Sequence, residues 1–137
     1  MDNMTCYRNT DLDLVSRDDL SDLAVALEKG GISPLHVTPS PNGFWYATFE
    51  TDKQYTEPNP NILQMLDVIN SLTESVQSLW ATCIKREFNI GYDCGTDPWA
   101  FNQGLSTELL RRLAEVGASI RITLYPYRSE SVPEELT

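Results

Sequence analysis

Cys94, His36, Asp93 and Asp97 are the residues of this chain whose types could do covalent or metal chemistry. A thiol with an imidazole base and a carboxylate to orient it would make a nucleophilic centre. Cys94 stands in a loop after a strand pattern, where reactive groups often sit. The surroundings argue for a structural reading instead. No local signature surrounds Cys94 in YDCGTDPW, and His36 lies between Leu35 and Val37 in a strand pattern. Asp93 and Asp97 are two carboxylates without further acids close by, too few ligands for a hard cation, and Asp97-Pro98 reads as a turn. Cys6, Cys83 and Cys94 are odd in number and share no C-x-x-C spacing, so neither a zinc knuckle nor a disulfide framework is indicated. No catalytic residue, metal site or cofactor is assigned, and reduced thiols point to a cytoplasmic protein.

Binding chemistry is better marked than catalysis. Trp99 and Phe101 stand beside Asn102 and Gln103 in a stretch with two glycines and a proline, CGTDPWAFNQG. Large aromatics among polar groups suit a surface that anchors a partner; the plainer account is that Trp99 folds back over an end of the core. The 137 residues carry 20 acidic and 10 basic side chains, a net charge of -10. That balance argues against nucleic acid, whose phosphates need clustered Lys and Arg, and suits a basic protein partner or simple solubility. Up to Glu28 the acids Asp2, Asp11, Asp13, Asp18, Asp19, Asp22 and Glu28 face only Arg8 and Arg17. Asp18, Asp19 and Asp22 are therefore the candidate steering residues. MDNMTCYRNTD has neither the basic start nor the apolar run of a secretory leader, so none is expected. No apolar run approaches the ~20 residues of a membrane helix, and no membrane contact is expected.

The elements that must position these residues follow from periodicity. A strand over 7–14 alternates Leu12 and Leu14 with Asp11 and Asp13. Ser16 with Asp19 resembles a capping box for a helix whose Leu20, Leu23, Ala24 and Leu27 form one stripe, with Asp18 and Asp19 in its first turn and Gly30-Gly31 as its stop. Strands over 35–38 and 44–51 flank PSPNG, a hairpin connection. After a polar loop at 52–60, a helix from about 61 lines up Ile62, Met65, Leu66, Ile69 and Leu72, and residues 71–80 continue as a second short helix or a bent extension of the first. Phe88, Ile90 and Tyr92 alternate in a strand. Ser106 opens a helix carrying Leu109, Leu110, Leu113 and Val116, and Gly117 ends it. Ile120, Ile122 and Leu124 then alternate with Arg121, Thr123 and Tyr125; the first three are expected under a helix layer. The order β-α-β-β-α-β-α-β predicts one α+β domain over 1–127. It would be a ferredoxin-like split β-α-β core with an extra C-terminal α-β unit, its antiparallel or mixed sheet packed on helices. Residues 128–137, RSESVPEELT, are expected to be a disordered acidic tail.

LSTELLRRLAEVGASIRITLY, residues 105–125, resembles the close of an uncharacterised bacterial domain-of-unknown-function family, number four-two-seven-nine. That pattern has a Leu-Ser-x-Glu-Leu-Leu helix, a Leu-Ala-x-x-Gly turn and an alternating strand ending on Tyr; FNIGYDCG resembles the strand before it. The likeness covers the last third well and the middle by element order, and the loop CGTDPWAFNQG is longer than the pattern. Members of such families are suspected immunity proteins of toxin systems. The resemblance therefore implies a non-enzymatic protein-binding module of unknown role, an immunity-type inhibitor of a basic bacterial toxin. The alternatives are a small ligand-binding or enzymatic domain using the 93–103 loop, centred on Cys94, Asp97 and Trp99, and a structural domain with no discrete site.

Overall fold

A computed structural model of the chain describes residues 3–127. The expected tail at 128–137 lies outside the described residues. The architecture is α+β: one five-stranded mixed sheet with four helices. Strand β1 (Cys6–Ser16) leads to helix α1 (Ser21–Lys29), then β2 (Ile32–Pro39) and β3 (Trp45–Thr51). Helices α2 (Pro58–Asn70) and α3 (Glu74–Thr82) precede β4 (Lys85–Asp93), and α4 (Thr107–Glu115) precedes β5 (Ser119–Tyr125). The strands lie in the order β2-β3-β1-β4-β5. All neighbours are antiparallel except β4 and β5, which run parallel with Ile90 opposite Ile122.

Strand alternation decides which face is covered. Leu12, Leu14, Ala47, Phe49, Phe88 and Ile90 are buried and join the inward stripes of the helices, among them Leu23, Leu27, Ile62, Met65, Leu66, Leu109 and Leu113, in one core. Each large aliphatic or aromatic side chain so enclosed contributes about 1.5–3 kcal/mol relative to exposure. The helices thus lie on one side of the sheet, and among the described residues no helix covers the opposite, bare face. On it stand Asp11, Asp13, Thr48, Glu50, Glu87, Asn89, Arg121 and Thr123, the polar partners in each alternation.

Two local expectations are corrected. Ser16 does not cap α1: β1 continues through it, and its hydroxyl bonds Thr82 Oγ1 at 2.9 Å and accepts the Asp18 N–H. Residues 17–20 are spent turning from the sheet into the helix layer, so α1 starts at Ser21 with Leu20 before it and no side-chain cap. Asp18 and Asp19 precede the helix; Asp19 accepts the Ser21 N–H at 2.8 Å. The second correction concerns β5. Ile122 and Leu124 are 60% and 61% exposed. Their face is the helix side, as pairing with Ile90 and Tyr92 requires. Yet α4 sends Leu109 and Leu113 into the core beside α2, and the last strand projects past the helix layer.

The C-terminal unit otherwise follows its sequence signals. Ser106 caps α4, accepting the Leu109 N–H at 3.1 Å. Gly117 takes a φ of 70°, a left-handed turn that glycine enters without strain. A Cβ there would also stand 2.8 Å from the Arg86 guanidinium.

Candidate functional site

The loop between β4 and α4 builds one candidate site. Its first half is tied to the N-terminal segment: Thr96 and Asp97 donate N–H groups to the Asn3 carbonyl, and Thr5 donates to Asp97. Gly95 lies so close to Asn3 that any Cβ would overlap its carbonyl. The loop then passes beside β5 and leaves a cleft of about 420 Å³. Trp99, Phe101, Gln103, Cys94 and Tyr92 line it together with Ile122 and Leu124. Phe101 meets Tyr92 edge-on at 5.6 Å, and Tyr92 meets Tyr7 at 6.1 Å, so the floor is a fixed aromatic row. Trp99 is 97% exposed and covers no core. The Gln103 side-chain oxygen is buried, and no donor among the described residues reaches it. Asn102 is exposed and does not line the cleft.

The covalent reading of Cys94 finds no base. His36 is exposed on β2, at one edge of the sheet, whereas Cys94 follows β4. Three strand spacings separate β2 from β4, about 14 Å. Asp93 instead pairs with Arg8 at 3.5 Å. Among the described residues no group of three or more His, Cys, Asp or Glu could hold a metal ion. The three cysteines are unpaired. Cys83 is buried at the end of α3, and burial pushes its thiol up to about 11, away from nucleophilic use.

The bare sheet face builds a second site. Asp13 lies between Thr48 of β3 and Glu87 of β4, and Asp11 lies beside Asn89. Glu50 is one position beyond the last β1–β3 pair, Leu12 and Phe49, which brings it next to Asp11. Asn9 holds that pair together, donating to Asp11 Oδ1 at 3.0 Å and Glu50 Oε2 at 3.4 Å. Thr48 donates to Asp13 at 2.7 Å. Glu87 is neutralised by Arg121 at 2.7 Å and Lys85 at 3.4 Å, and these partners overcome burial to hold its carboxyl low. Asp11, Asp13 and Glu50 have no ion pair among the described residues. Burial, with Asp13 and Glu50 adding repulsion, raises the Asp11 carboxyl to about 6; Arg8 and the Asn9 amide pull weakly the other way. Near neutrality the acids outnumber the cations on this face: Arg8 and Arg121 attract Asp11 and Asp13, but neither forms an ion pair with them.

That face runs into a polar cleft of about 340 Å³ at the irregularity in β1 between Tyr7 and Asn9. Glu50 and Asn9 stand on its wall with Asp52, Lys53 and Asn61. Its floor is a closed network: Asn61 donates to Tyr7 Oη at 2.7 Å, Tyr7 shares a 2.6 Å bond with Thr10, and Thr51 donates to Asn61. Burial raises the Tyr7 phenol above its ordinary value, the nearby Asp11 charge adding to it, and outweighs the hydrogen bonds from Thr10 and Asn61, which pull the other way.

The structure gathers Trp99, Phe101 and Gln103 around one cleft and leaves Asp18, Asp19 and Asp22 elsewhere. Asp18 and Asp19 follow the Ser16 end of β1, whereas the aromatic loop adjoins its Cys6 end, since Cys6 pairs with Asp93. Eleven strand residues span about 33 Å. All three aspartates are exposed. Sequence reasoning missed Asp11, Asp13 and Glu50 as a group. The signal was present in the alternation of Asp11 and Asp13 with Leu12 and Leu14, but the cluster needs the β1–β3 register to bring Glu50 alongside. No family model, curated protein or solved structure matches the chain.

Proposed function

We propose that this chain is a non-enzymatic, cytoplasmic protein-binding module that receives a basic partner on the bare face of its sheet, in the manner of an immunity-type inhibitor of a basic bacterial toxin. One observation carries the reading: Asp11, Asp13 and Glu50 are crowded on one sheet face and form no ion pair among the described residues. A folded chain gains nothing in stability from such crowding, and a Lys- or Arg-rich surface would relieve it. The excess of acids over the whole chain steers such a partner inward. Asp18, Asp19 and Asp22 extend the attraction from another side of the molecule. Unpaired thiols accord with a reducing compartment. No helix among the described residues is long and apolar enough to cross a membrane.

The test is capture from source lysate by the parent chain and by an Asp13→Asn, Glu50→Gln double variant, at low and then high salt. A basic protein retained at low salt, released by salt and held less by the variant is the expected result. A partner that binds both chains equally, or resists salt, would remove the bare face from the account.

A specific observation favours a second reading, a small ligand in the 93–103 loop cleft. Gln103 offers an unmatched acceptor beside Trp99, Phe101 and Tyr92. A flat apolar molecule carrying an N–H donor fits that lining. Quenching of tryptophan emission that disappears in Trp99→Phe would support it, and quenching unchanged by Trp99→Phe would count against it.

A further inference from the structure

We infer that the free edge of β5 pairs with the same edge of a second copy, antiparallel and centred on Ile122, to make a continuous ten-stranded sheet. This surface is separate from the bare acidic face. β5 pairs only with β4, and its outer edge makes no backbone hydrogen bond to any described residue. The two edges of the sheet are built differently. At the far edge, β2 carries Pro34 and Pro39 and a register irregularity between Pro34 and His36, devices that discourage another strand from adding. β5, Ser119–Tyr125, has no proline, no lysine and no irregularity in its pairing. An edge of that kind is a template for another strand.

The occupant follows from symmetry and charge. In an antiparallel pair centred on Ile122, Ile122 faces its own copy and Leu124 faces Ile120. All these side chains lie on the helix-side face, where Ile122 and Leu124 are 60% and 61% exposed. On the opposite face Arg121 meets Thr123, so no like charges stand directly opposite, and each Arg121 is already paired with Glu87. Two copies of a chain of net charge -10 repel over most of their surfaces. From Val116 to Tyr127, however, the chain holds Arg121 and no carboxylate. Along this stretch two copies bring no carboxylates of β5 itself against each other. A heterologous contact here would leave the edge open to growth, whereas the two-fold pairing closes on itself. A seven-residue strand edge is smaller than the ~800 Å² per partner of a standard interface, so the dimer is expected in the micromolar range.

Sedimentation equilibrium of the full chain across a concentration series tests the inference together with cross-linking. The parent is expected to move from the mass of one chain to that of two. Ile122→Lys, which puts a charge on the edge at a largely exposed position, is expected to weaken the association roughly tenfold or more; its circular dichroism should match the parent. In a Cys6→Ser, Cys94→Ser background, Ile122→Cys is expected to form a disulfide-linked dimer, since directly opposed strand residues lie ~4.5–5.5 Å apart at Cα, within bridging range. Arg121→Cys places the two thiols diagonally, about 7–8 Å apart, and is expected to cross-link poorly. One-chain mass at every concentration would overturn the proposal. So would a dimer unaffected by a folded Ile122→Lys, or equal cross-linking through both cysteine positions.

Discussion

Asp11→Asn isolates the stability that the acidic face costs. The carboxyl moves from its ordinary 3.8 to about 6 in the fold because it is half-buried and because Asp13 and Glu50 stand beside it. Between those values the native chain holds a proton that the unfolded chain has lost. Stability therefore falls as pH rises from ~4 to ~6, and the full penalty is present above that window. At 1.36 kcal/mol per pH unit the gap corresponds to ~3 kcal/mol. Water still reaches Asp11, and solvent screening reduces the expected effect to about 1–1.5 kcal/mol. Asparagine removes the charge at nearly the same volume, and its oxygen can still accept the Asn9 amide that now bonds Asp11 at 3.0 Å. Urea denaturation at low ionic strength should show the variant more stable by that amount at about pH 7.5 and equal to the parent at about pH 4. Added salt should shrink the gain in part, because it screens Asp13 and Glu50 but not burial. Unchanged or lower stability at neutral pH would refute the argument. An equal gain at both pH values would trace the effect to packing rather than charge. If a basic partner occupies the face, it lowers this same pKa, and forming the complex near pH 6 should release a proton.

Ser106→Ala removes the hydroxyl that accepts the Leu109 N–H, and should lower unfolding free energy by ~1 kcal/mol in chemical denaturation. Arg86 donates to the Trp80, Cys83 and Gly117 carbonyls at 3.0, 2.8 and 3.1 Å, joining the end of α3 to the turn after α4. A lysine ammonium cannot span both, so Arg86→Lys should cost about 1–2 kcal/mol in the same assay. Trp99→Ala should leave the thermal midpoint nearly unchanged, within about half a kcal/mol, because its indole is 97% exposed; a large loss would mean that Trp99 covers core after all.

Which parts of the molecule could be read in advance depends on the distance over which each is decided. The cap at Ser106, the stripe of Leu109 and Leu113, and the left-handed Gly117 are settled within one or two turns of chain, and the sequence shows them directly. The α+β class follows from summing such local signals. Ser16 misled because Ser-x-x-Asp is a local pattern with two solutions. β1 gained more by extending to Ser16 and bonding Thr82, a residue 66 positions away, than by releasing that serine to cap a helix. Ile122 misled in a different way. Alternation states which face a strand residue takes but not whether a helix reaches that far across the sheet, and α4 stops short of β5. The acidic face needed still longer range information. Asp11 and Asp13 are visibly paired in sequence, but the burial that does most to raise the Asp11 carboxyl, and the further repulsion from Glu50, arrive only with the sheet and its β1–β3 register. A stronger expectation was within reach: acids alternating with leucines in a central strand must share a face with whatever neighbours it, so their repulsion is a property of the sheet. That is why the crowded carboxylates of a strand interior are better evidence for a cationic partner than the exposed aspartates before α1. The latter can relax into water, and the former are held together by the pairing of β1 and β3.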